Sequence, residues 1–324
     1  MTRAIVVHKT GGADALTLEE NWPVAEPGPG QIRIRHQAIG LNFIDTYQRS
    51  GLYPIQTPFV AGNEGAGVVT AVGPDVNTFK PGDRVAYMGQ LGAYAEERLL
   101  PAERVVAIPD GIDDRIAAAI MLKGLTAYYL LFKTWAVQKG ETILWHAAAG
   151  GVGQIATQWA HALGVRVIGT AGSDEKVATA RELGCDEVIN YRKEDFAARV
   201  RELTEGRGVD VVYDGVGKDT FDKSLDCLRP RGLMVSFGNA SGVVSIPDIT
   251  VLSRKGSLYV TRPTTAHYFA TRPELVEGAK ALFGAIAAGQ IKVSVNQTFP
   301  LAEAGAAHRA LEERHTTGSV VLLP

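Results

Sequence analysis

A glycine-rich turn, Ala147-Ala148-Ala149-Gly150-Gly151-Val152-Gly153, joins the apolar run ETILWHAAA to the helical run GGVGQIATQWAHALG, which stops at Gly164. No other segment constrains the fold as strongly. A strand that turns on glycines directly into a helix opens a βαβ unit. Its turn lets backbone approach a pyrophosphate closely, with the free amides and the positive end of the helix dipole offsetting the charge. The common spacing G-x-G-x-x-G is matched only in part, since its first glycine position falls on an alanine.

The rhythm continues downstream. VRVIGTA reads as a strand, SDEKVATARELG as a helix opening on Ser173 and closing on Gly184, and DEVINY as a strand. A helix over about 195–204, the strand VDVVYDGVG, a helix over 219–228 and the strands GLMVSFGN and SLYVTRP follow. Strand and helix in strict alternation predict a parallel, doubly wound α/β sheet over about 123–262.

The rest of the chain differs. Up to about residue 120 the runs AIVVHK, QIRIRHQAIGLN, EGAGVVTAVG, DRVAYMG and AYAEERLL are short, β-branched and punctuated by PGPG, KPGD and IPDG. They predict a β-rich domain over 1–122, with no helix of any length before Asp113. From Asp113, DDRIAAAIMLKGLTAYYLLFKTW carries helical spacing and an aspartate pair able to cap it; a helical pair is expected there. After Pro263, a long helical stretch, VSVNQTFP, a helix from about Leu301 and the apolar strand SVVLLP are too few residues for a core of their own. Residues 263–324 are therefore expected to return and complete the first domain.

Composition removes several classes of function. With 33 Lys plus Arg against 35 Asp plus Glu, the formal charge is −2, which argues against nucleic acid as the main partner. Cys185 and Cys227 are too few for a four-thiolate zinc site or a disulfide scaffold, and read as buried thiols. No uninterrupted run of about 18 apolar residues and no signal-like N-terminus is present, so a cytoplasmic protein with no membrane partner is expected.

At the end of the second strand, where NAD-specific sites place an acid on the ribose hydroxyls, this chain has Ala171. In Ala171-Gly172-Ser173-Asp174-Glu175-Lys176 the small residues leave room for a 2′-phosphate that Ser173 and Lys176 would bind, which favours NADPH over NADH. The competing reading makes Ser173 a helix cap and Lys176 a solvated first-turn lysine. Asp174 is the contrary feature, although an acid is natural in a first turn.

Over its whole length the chain resembles the medium-chain dehydrogenase/reductase superfamily, and within it the zinc-free NADPH:quinone oxidoreductase, zeta-crystallin-like branch. Beside the AAAGGVG loop, the resemblance rests on Asn42-Phe43-Ile44-Asp45-Thr46-Tyr47, Gly62-Asn63-Glu64-Gly65-Ala66-Gly67, Lys123-Gly124-Leu125-Thr126-Ala127 and Ser236-Phe237-Gly238-Asn239. It implies a GroES-like catalytic domain over 1–122, completed by 263–324, and a Rossmann NADPH-binding domain over 123–262. Zinc-dependent members carry Cys where Asn42 stands and His where Asn63 stands. Neither amide competes with thiolate or imidazole as a ligand, so no metal is expected.

By position, the resemblance implies that Asn42, Thr126 and Phe237, Gly238 and Asn239 meet the nicotinamide and its ribose. Ala149, Gly150, Gly151 and Val152 would meet the pyrophosphate, and Gly172, Ser173, Lys176 and Tyr191 would surround the adenosine phosphate. Val216, at a strand end, and the weaker candidates Arg262 and Ser319 are also placed on the cofactor side. The implied reaction is hydride transfer from NADPH to a quinone, with reduction of α,β-unsaturated ketones or aldehydes as the alternative; a crystallin-like or RNA-binding protein is the alternative of another class.

A quinone accepts hydride readily, so positioning plus one or two hydrogen-bond donors can supply much of the acceleration. Candidates for donors and walls of the catalytic cleft are Asn42, Tyr47, Tyr53 and Tyr128, each tyrosine having a packing role as its alternative. Asp45 and Glu64 are read as organising hydrogen bonds rather than as a catalytic pair, and His146 as a satisfied structural histidine. Finally, Gly256–Thr261 reads as an uncharged strand at an open sheet edge, which predicts a homodimer through that edge unless 264–268 folds back over it.

Overall fold

The computed structural model describes residues 1–324, which divide into two compact units. One unit comprises Met1–Leu125, Phe269–Phe283 and Val293–Pro324, and the other Thr126–Tyr268 and Gly284–Lys292. Of the residues after 263, Phe269–Phe283 and Val293–Pro324 lie in the first unit, and Gly284–Lys292 goes with the second.

In the second unit six parallel strands lie in the order Glu187–Asn190, Arg166–Ala171, Thr142–Trp145, Val209–Asp214, Leu228–Ser236 and Tyr259–Thr261. The order reverses direction at Thr142–Trp145, and in doubly wound sheets ligands bind beyond the carboxyl end of the strands at that switch point. Side-chain caps start two of its helices. Ser173 Oγ accepts from Lys176 N ahead of Asp174–Glu182, and the Asp195 carboxylate accepts from Ala197 N and Ala198 N ahead of Phe196–Leu203. Gly164 and Gly184 end theirs in the left-handed region, at φ 76° and 97°.

The first unit is built on a seven-stranded sheet. Val295–Pro300, Ser319–Leu323, Gln31–Gly40, Glu64–Val72, Arg84–Met88 and Val105–Ala107 run in that order, with Glu97–Pro101 also pairing Gln31–Gly40. The final strand seats Val321 opposite Gly40 and Leu322 opposite Ile39, next to the strand that leads into Asn42. A smaller sheet pairs Thr2–Val7 with Leu16–Trp22 and Phe59–Val60. Ile5, Ile32, Ile34, Val85, Leu100 and Leu322 share one core between these layers.

Two expectations are corrected. A helix does precede Asp113: Phe43–Ser50 is held at its start by Asn42 N donating to Asp45 Oδ2 at 2.8 Å and at its end by Gly51 at φ 84°. Its eight residues are too few to show a helical period, and its stability comes from its ends. The expected pair after Asp113 is one helix, Asp114–Tyr129, running into a π-helical turn over Leu130–Thr134. Taken as 21 residues, Asp114–Thr134 is long and apolar enough to cross a membrane, yet 72% of its apolar window is buried inside the protein, as in a core helix. The strand Leu16–Trp22 and the short helices Thr250–Arg254 and Thr265–Tyr268 were also not anticipated.

Candidate active site

A closed polar network occupies the first unit where the sequence places two asparagines in zinc-ligand positions. The Asn42 amide donates to Glu64 Oε2 at 2.6 Å, and the Asn63 amide donates to Asp45 Oδ1 at 2.7 Å and to Gln48 Oε1 at 2.5 Å. Glu64 also accepts from Leu122 N at 2.6 Å, and Lys123 Nζ lies 3.5 Å from it while donating to Leu41 O at 3.1 Å. All of these side chains except Gln48 are buried. Asp45 and Glu64 therefore act as hydrogen-bond organisers, each taken up by its own amide. Burial pushes the Asp45 carboxyl up to about 6, against the lowering pull of Asn63, Asn42 and Tyr94, and raises Glu64 against that of Lys123 and Asn42.

The network continues outward. Tyr94 Oη donates to Asp45 Oδ2 at 3.1 Å and meets His308 Nε2 at 3.0 Å, while Arg49 reaches His308 Nδ1 and pairs with Glu312 at 2.7 Å. The chain's last helix, Ala304–Glu312, is thereby tied to the helix that follows Asn42. Burial, with Arg49 alongside, lowers His308 to about 3, so it is neutral and serves as a connector. No group of three or more His, Cys, Asp or Glu side chains is arranged to hold a metal.

In the second unit the glycine-rich turn is built as a backbone cradle. Ala147 sits at φ 53°, Gly150 N bonds back to Ala147 O at 2.8 Å, and Gly150 caps the helix Gly151–Ala162 without any side chain. The first-turn amides of Gly151, Val152 and Gly153 have no intrahelical acceptor and are available to an anion. A Cβ on Gly153 would lie 2.5 Å from Ala147 O and 2.6 Å from Ala148 O, so only glycine lets the helix start this close to the turn. Ala149 is buried, its carbonyl taken by Gln154.

Beside this cradle, Arg166–Ala171 ends without an acid, as predicted. Tyr191 lies against Gly172, where an added Cβ would meet its hydroxyl at 2.5 Å, which brings Gly172, Ser173, Lys176 and Tyr191 together. Ser173 does cap its helix, so the capping role is real. It does not remove the anion-binding one, because the hydroxyl accepts in the cap and keeps its proton to donate.

The two strand ends beyond the switch point converge as well. Asp214 accepts from Val216 N and Gly217 N at 2.7 and 3.0 Å and from the Thr220 hydroxyl at 2.7 Å. Gly238 packs on the backbone of Gly215, Phe237 lies 5.6 Å from the Trp145 ring, and Arg262 donates to Gly238 O and Ser236 Oγ. Val216, Phe237, Gly238, Asn239 and Arg262 therefore belong to one cluster.

Thr126 is buried in the helix Asp114–Tyr129. Ser319 lies in the first unit, where its hydroxyl donates to Ala119 O at 3.3 Å. Tyr47 and Tyr53 meet edge-on at 5.3 Å in the first unit. Tyr128 is buried in the second unit in an aromatic cluster, stacked on Phe132 and 6.1 Å from Trp159. His146 is a satisfied structural residue, between the hydroxyls of Thr170 and Ser224 at 2.9 and 2.8 Å. Cys185 and Cys227 are buried free thiols, pushed by burial up to about 12.

Residues 28–110 match the family described as alcohol dehydrogenase GroES-like domain, and residues 151–277 the family described as zinc-binding dehydrogenase. A quinone oxidoreductase of Pseudomonas aeruginosa is 56% identical, with the whole of both chains covered. The chain belongs to the quinone oxidoreductase family. A 2-haloacrylate reductase of a Burkholderia species is 52% identical over the whole chain and 99% of its own length. The crystal structure of Escherichia coli quinone oxidoreductase complexed with NADPH superposes with a TM-score of 0.97 at 50% identity, over 99% of this chain and all of that one.

Sequence reasoning passed over Lys123, Tyr94 and His308 as network members, and Asn190 and Lys193 beside the adenosine-side residues. Lys123 had a signal: a lone charge inside IAAAIMLKGLTAYY implies a buried partner. The others are brought in by long-range folding and carry no local sign.

Proposed function

We infer that this chain is an NADPH-dependent quinone oxidoreductase, reducing a quinone by hydride transfer without zinc. The observation that carries the reading is the backbone-only cradle at Gly150–Gly153 beside a second strand that ends in Ala171, with Ser173, Lys176 and Tyr191 around it in place of a ribose-binding acid. NADPH, when bound, supplies the hydride. The chain's own part is to hold the pyrophosphate on the helix start, to bind the adenosine phosphate at Ser173, Lys176 and Tyr191, and to seat the nicotinamide side through Thr126, Val216 and Phe237–Asn239. Asn42, Tyr47, Tyr53 and Tyr128 are proposed as donors or walls for the acceptor carbonyl, and Arg262 and Ser319 as further cofactor-side contacts. Hydride and one proton from water convert the quinone to its hydroquinone, and conjugation of the receiving oxygen makes an obligatory acid unnecessary.

The buried amides of Asn42 and Asn63, already bonded to carboxylates, support the zinc-free reading because a neutral amide is a poor zinc ligand. The domain assignment implied by the resemblance, a cytoplasmic location and a homodimeric assembly belong to the same proposal. A second reading, reduction of a C=C bond conjugated to a carbonyl or carboxylate, is favoured by the 2-haloacrylate reductase at 52% identity.

Steady-state assays with benzoquinones, naphthoquinones, enones and 2-haloacrylates, each with NADPH and NADH, test both readings. A preference for NADPH of at least about tenfold in kcat/KM is expected, eroded in Lys176→Ala. Equal use of both cofactors would overturn the assignment of residues 173–176, and activity confined to the alkenes would select the second reading.

A further inference from the structure

Asp174 immediately follows the Ser173 cap, and a carboxylate there would suit a ribose 2′-hydroxyl and repel a 2′-phosphate. In this structure both of its oxygens are engaged. Asn190 Nδ2 donates to Asp174 Oδ1 at 2.8 Å, and Lys193 Nζ pairs with Asp174 Oδ2 at 2.5 Å.

The arrangement follows from sheet register. Asn190 ends the strand beside Arg166–Ala171 and stands opposite Ala171, which places its side chain next to the turn 172–174. Its amide is buried and its own Oδ1 accepts from Arg192 N at 3.1 Å, so the donor is fixed in direction. Lys193 N in turn bonds to Asn190 O at 2.9 Å, closing a tight turn that delivers the lysine to the same carboxylate. An exposed ion pair is weak alone, and Asp174 and Lys193 are mostly exposed. Here a buried amide presets the geometry. The two donors hold the Asp174 carboxyl below its ordinary range, so it stays charged and paired.

We propose that Asn190 and Lys193 form a clamp that sequesters and neutralises Asp174, and that this clamp sets the preference for a 2′-phosphorylated cofactor. The inference rests on the NADPH reading above. Asn190 and Lys193 are positioning residues, acting through Asp174, while Ser173, Lys176 and Tyr191 make the phosphate contacts.

The test uses equilibrium binding of two probes that differ only in the 2′-phosphate, 2′,5′-ADP and 5′-AMP, to the full chain by calorimetry at low ionic strength. The wild type is expected to bind 2′,5′-ADP at least about tenfold tighter. Lys193→Ala, a surface change that leaves the core intact, is expected to reduce that ratio about fivefold, and Asn190→Ala/Lys193→Ala to reduce it further, because the freed carboxylate then faces the phosphate. Adding Asp174→Asn to either variant is expected to recover most of the lost ratio. A ratio within twofold of wild type in Lys193→Ala would overturn the clamp. So would a loss that Asp174→Asn fails to restore, since Lys193 would then be touching the phosphate itself. Equal binding of the two probes by the wild type would overturn the NADPH reading and the clamp with it, a result distinguishable because it precedes any substitution.

Discussion

The side-chain amide of Asn42 points its N–H at Glu64, 2.6 Å away, and both residues are buried. An amide so held is already committed as a donor to a carboxylate that Lys123 also approaches. The Asn63 amide is committed in the same way to Asp45. Coordinating a divalent cation there would require both amides to turn away from buried carboxylates, for ligation by neutral oxygens that bind zinc poorly. Metal analysis of the purified protein is therefore expected to find well under one zinc per chain, and overnight chelation to leave quinone reduction intact. Stoichiometric zinc lost together with activity would show that the network rearranges.

Replacing Gly153 with Ala separates a helix effect from a site effect. Within an unobstructed helix, Gly→Ala stabilises by up to ~1 kcal/mol. At Gly153 the new methyl would meet two backbone carbonyl oxygens at 2.5 and 2.6 Å, and backbone cannot rotate aside. Gly153→Ala is expected to destabilise by ~1–3 kcal/mol and to weaken NADPH binding at least about tenfold as the turn and helix start are forced apart. Gly284→Ala, in the helix Arg272–Ala287 with open space around it, is the matched control and is expected to be neutral or stabilising. Equal Tm changes and equal cofactor affinities in the two variants would refute the cradle.

Asp45 gives stability an unusual pH dependence. Its carboxyl is raised from 3.8 to about 6, first by burial, so the folded chain binds this proton more tightly than the unfolded chain does. Its effect on stability is unfavourable and grows as pH rises from about 4 through about 6, to ~3 kcal/mol at most. Depressed groups such as Asp210 and Asp248 contribute with the opposite sign, so the comparison must be made against a variant. Urea unfolding of wild type and Asp45→Asn at pH 4, 5, 6 and 7 is expected to show the wild type's relative advantage shrinking toward neutral pH. An advantage that grows instead would mean that the donors from Asn42, Asn63 and Tyr94 outweigh burial.

What could be read from the sequence follows the range of the interactions. The six sheet strands of the second unit and the helices that alternate with them were legible because they announce themselves locally: Ser173 and Asp195 cap, Gly164 and Gly184 stop, and the glycine turn at 147–153 stands between a strand and a helix. The helix Phe43–Ser50 was invisible because its determinants are at its ends, in the Asn42–Asp45 exchange and Gly51. The strand Leu16–Trp22 was hidden for another reason. Its half-buried run LTLEENW carries three acid or amide side chains, and only pairing with Thr2–Val7 makes it a strand. At the site, motif positions identified Asn42 and Asn63, but their partners Glu64, Asp45 and Lys123 meet only once the sheet and two helices are assembled. Asp174 illustrates the same limit: an acid that counted against NADPH in the sequence is paired by residues 16 and 19 positions downstream.

Tyr259–Thr261 is the terminal strand of the parallel sheet, hydrogen-bonded on one side to Leu228–Ser236, and Tyr259 is 61% exposed. An uncharged edge with an exposed aromatic invites pairing with another strand. The alternative, in which 264–268 folds back over the edge, must reckon with contacts that this segment already makes. Thr265–Tyr268 forms a short helix whose Tyr268 stacks on Tyr129 at 4.6 Å and accepts from Thr134 at 2.9 Å. Two copies meeting antiparallel across a two-fold axis would continue the sheet and bring the two Tyr259 side chains close, a self-complementary contact. Sedimentation equilibrium at micromolar concentration is expected to give twice the 34.6 kDa chain mass. Tyr259→Lys places like charges across the axis and is expected to shift the mass toward the monomer while leaving the far-UV spectrum unchanged. A monomeric wild type would reject the dimer, and a dimer indifferent to Tyr259→Lys would place the seam on another surface.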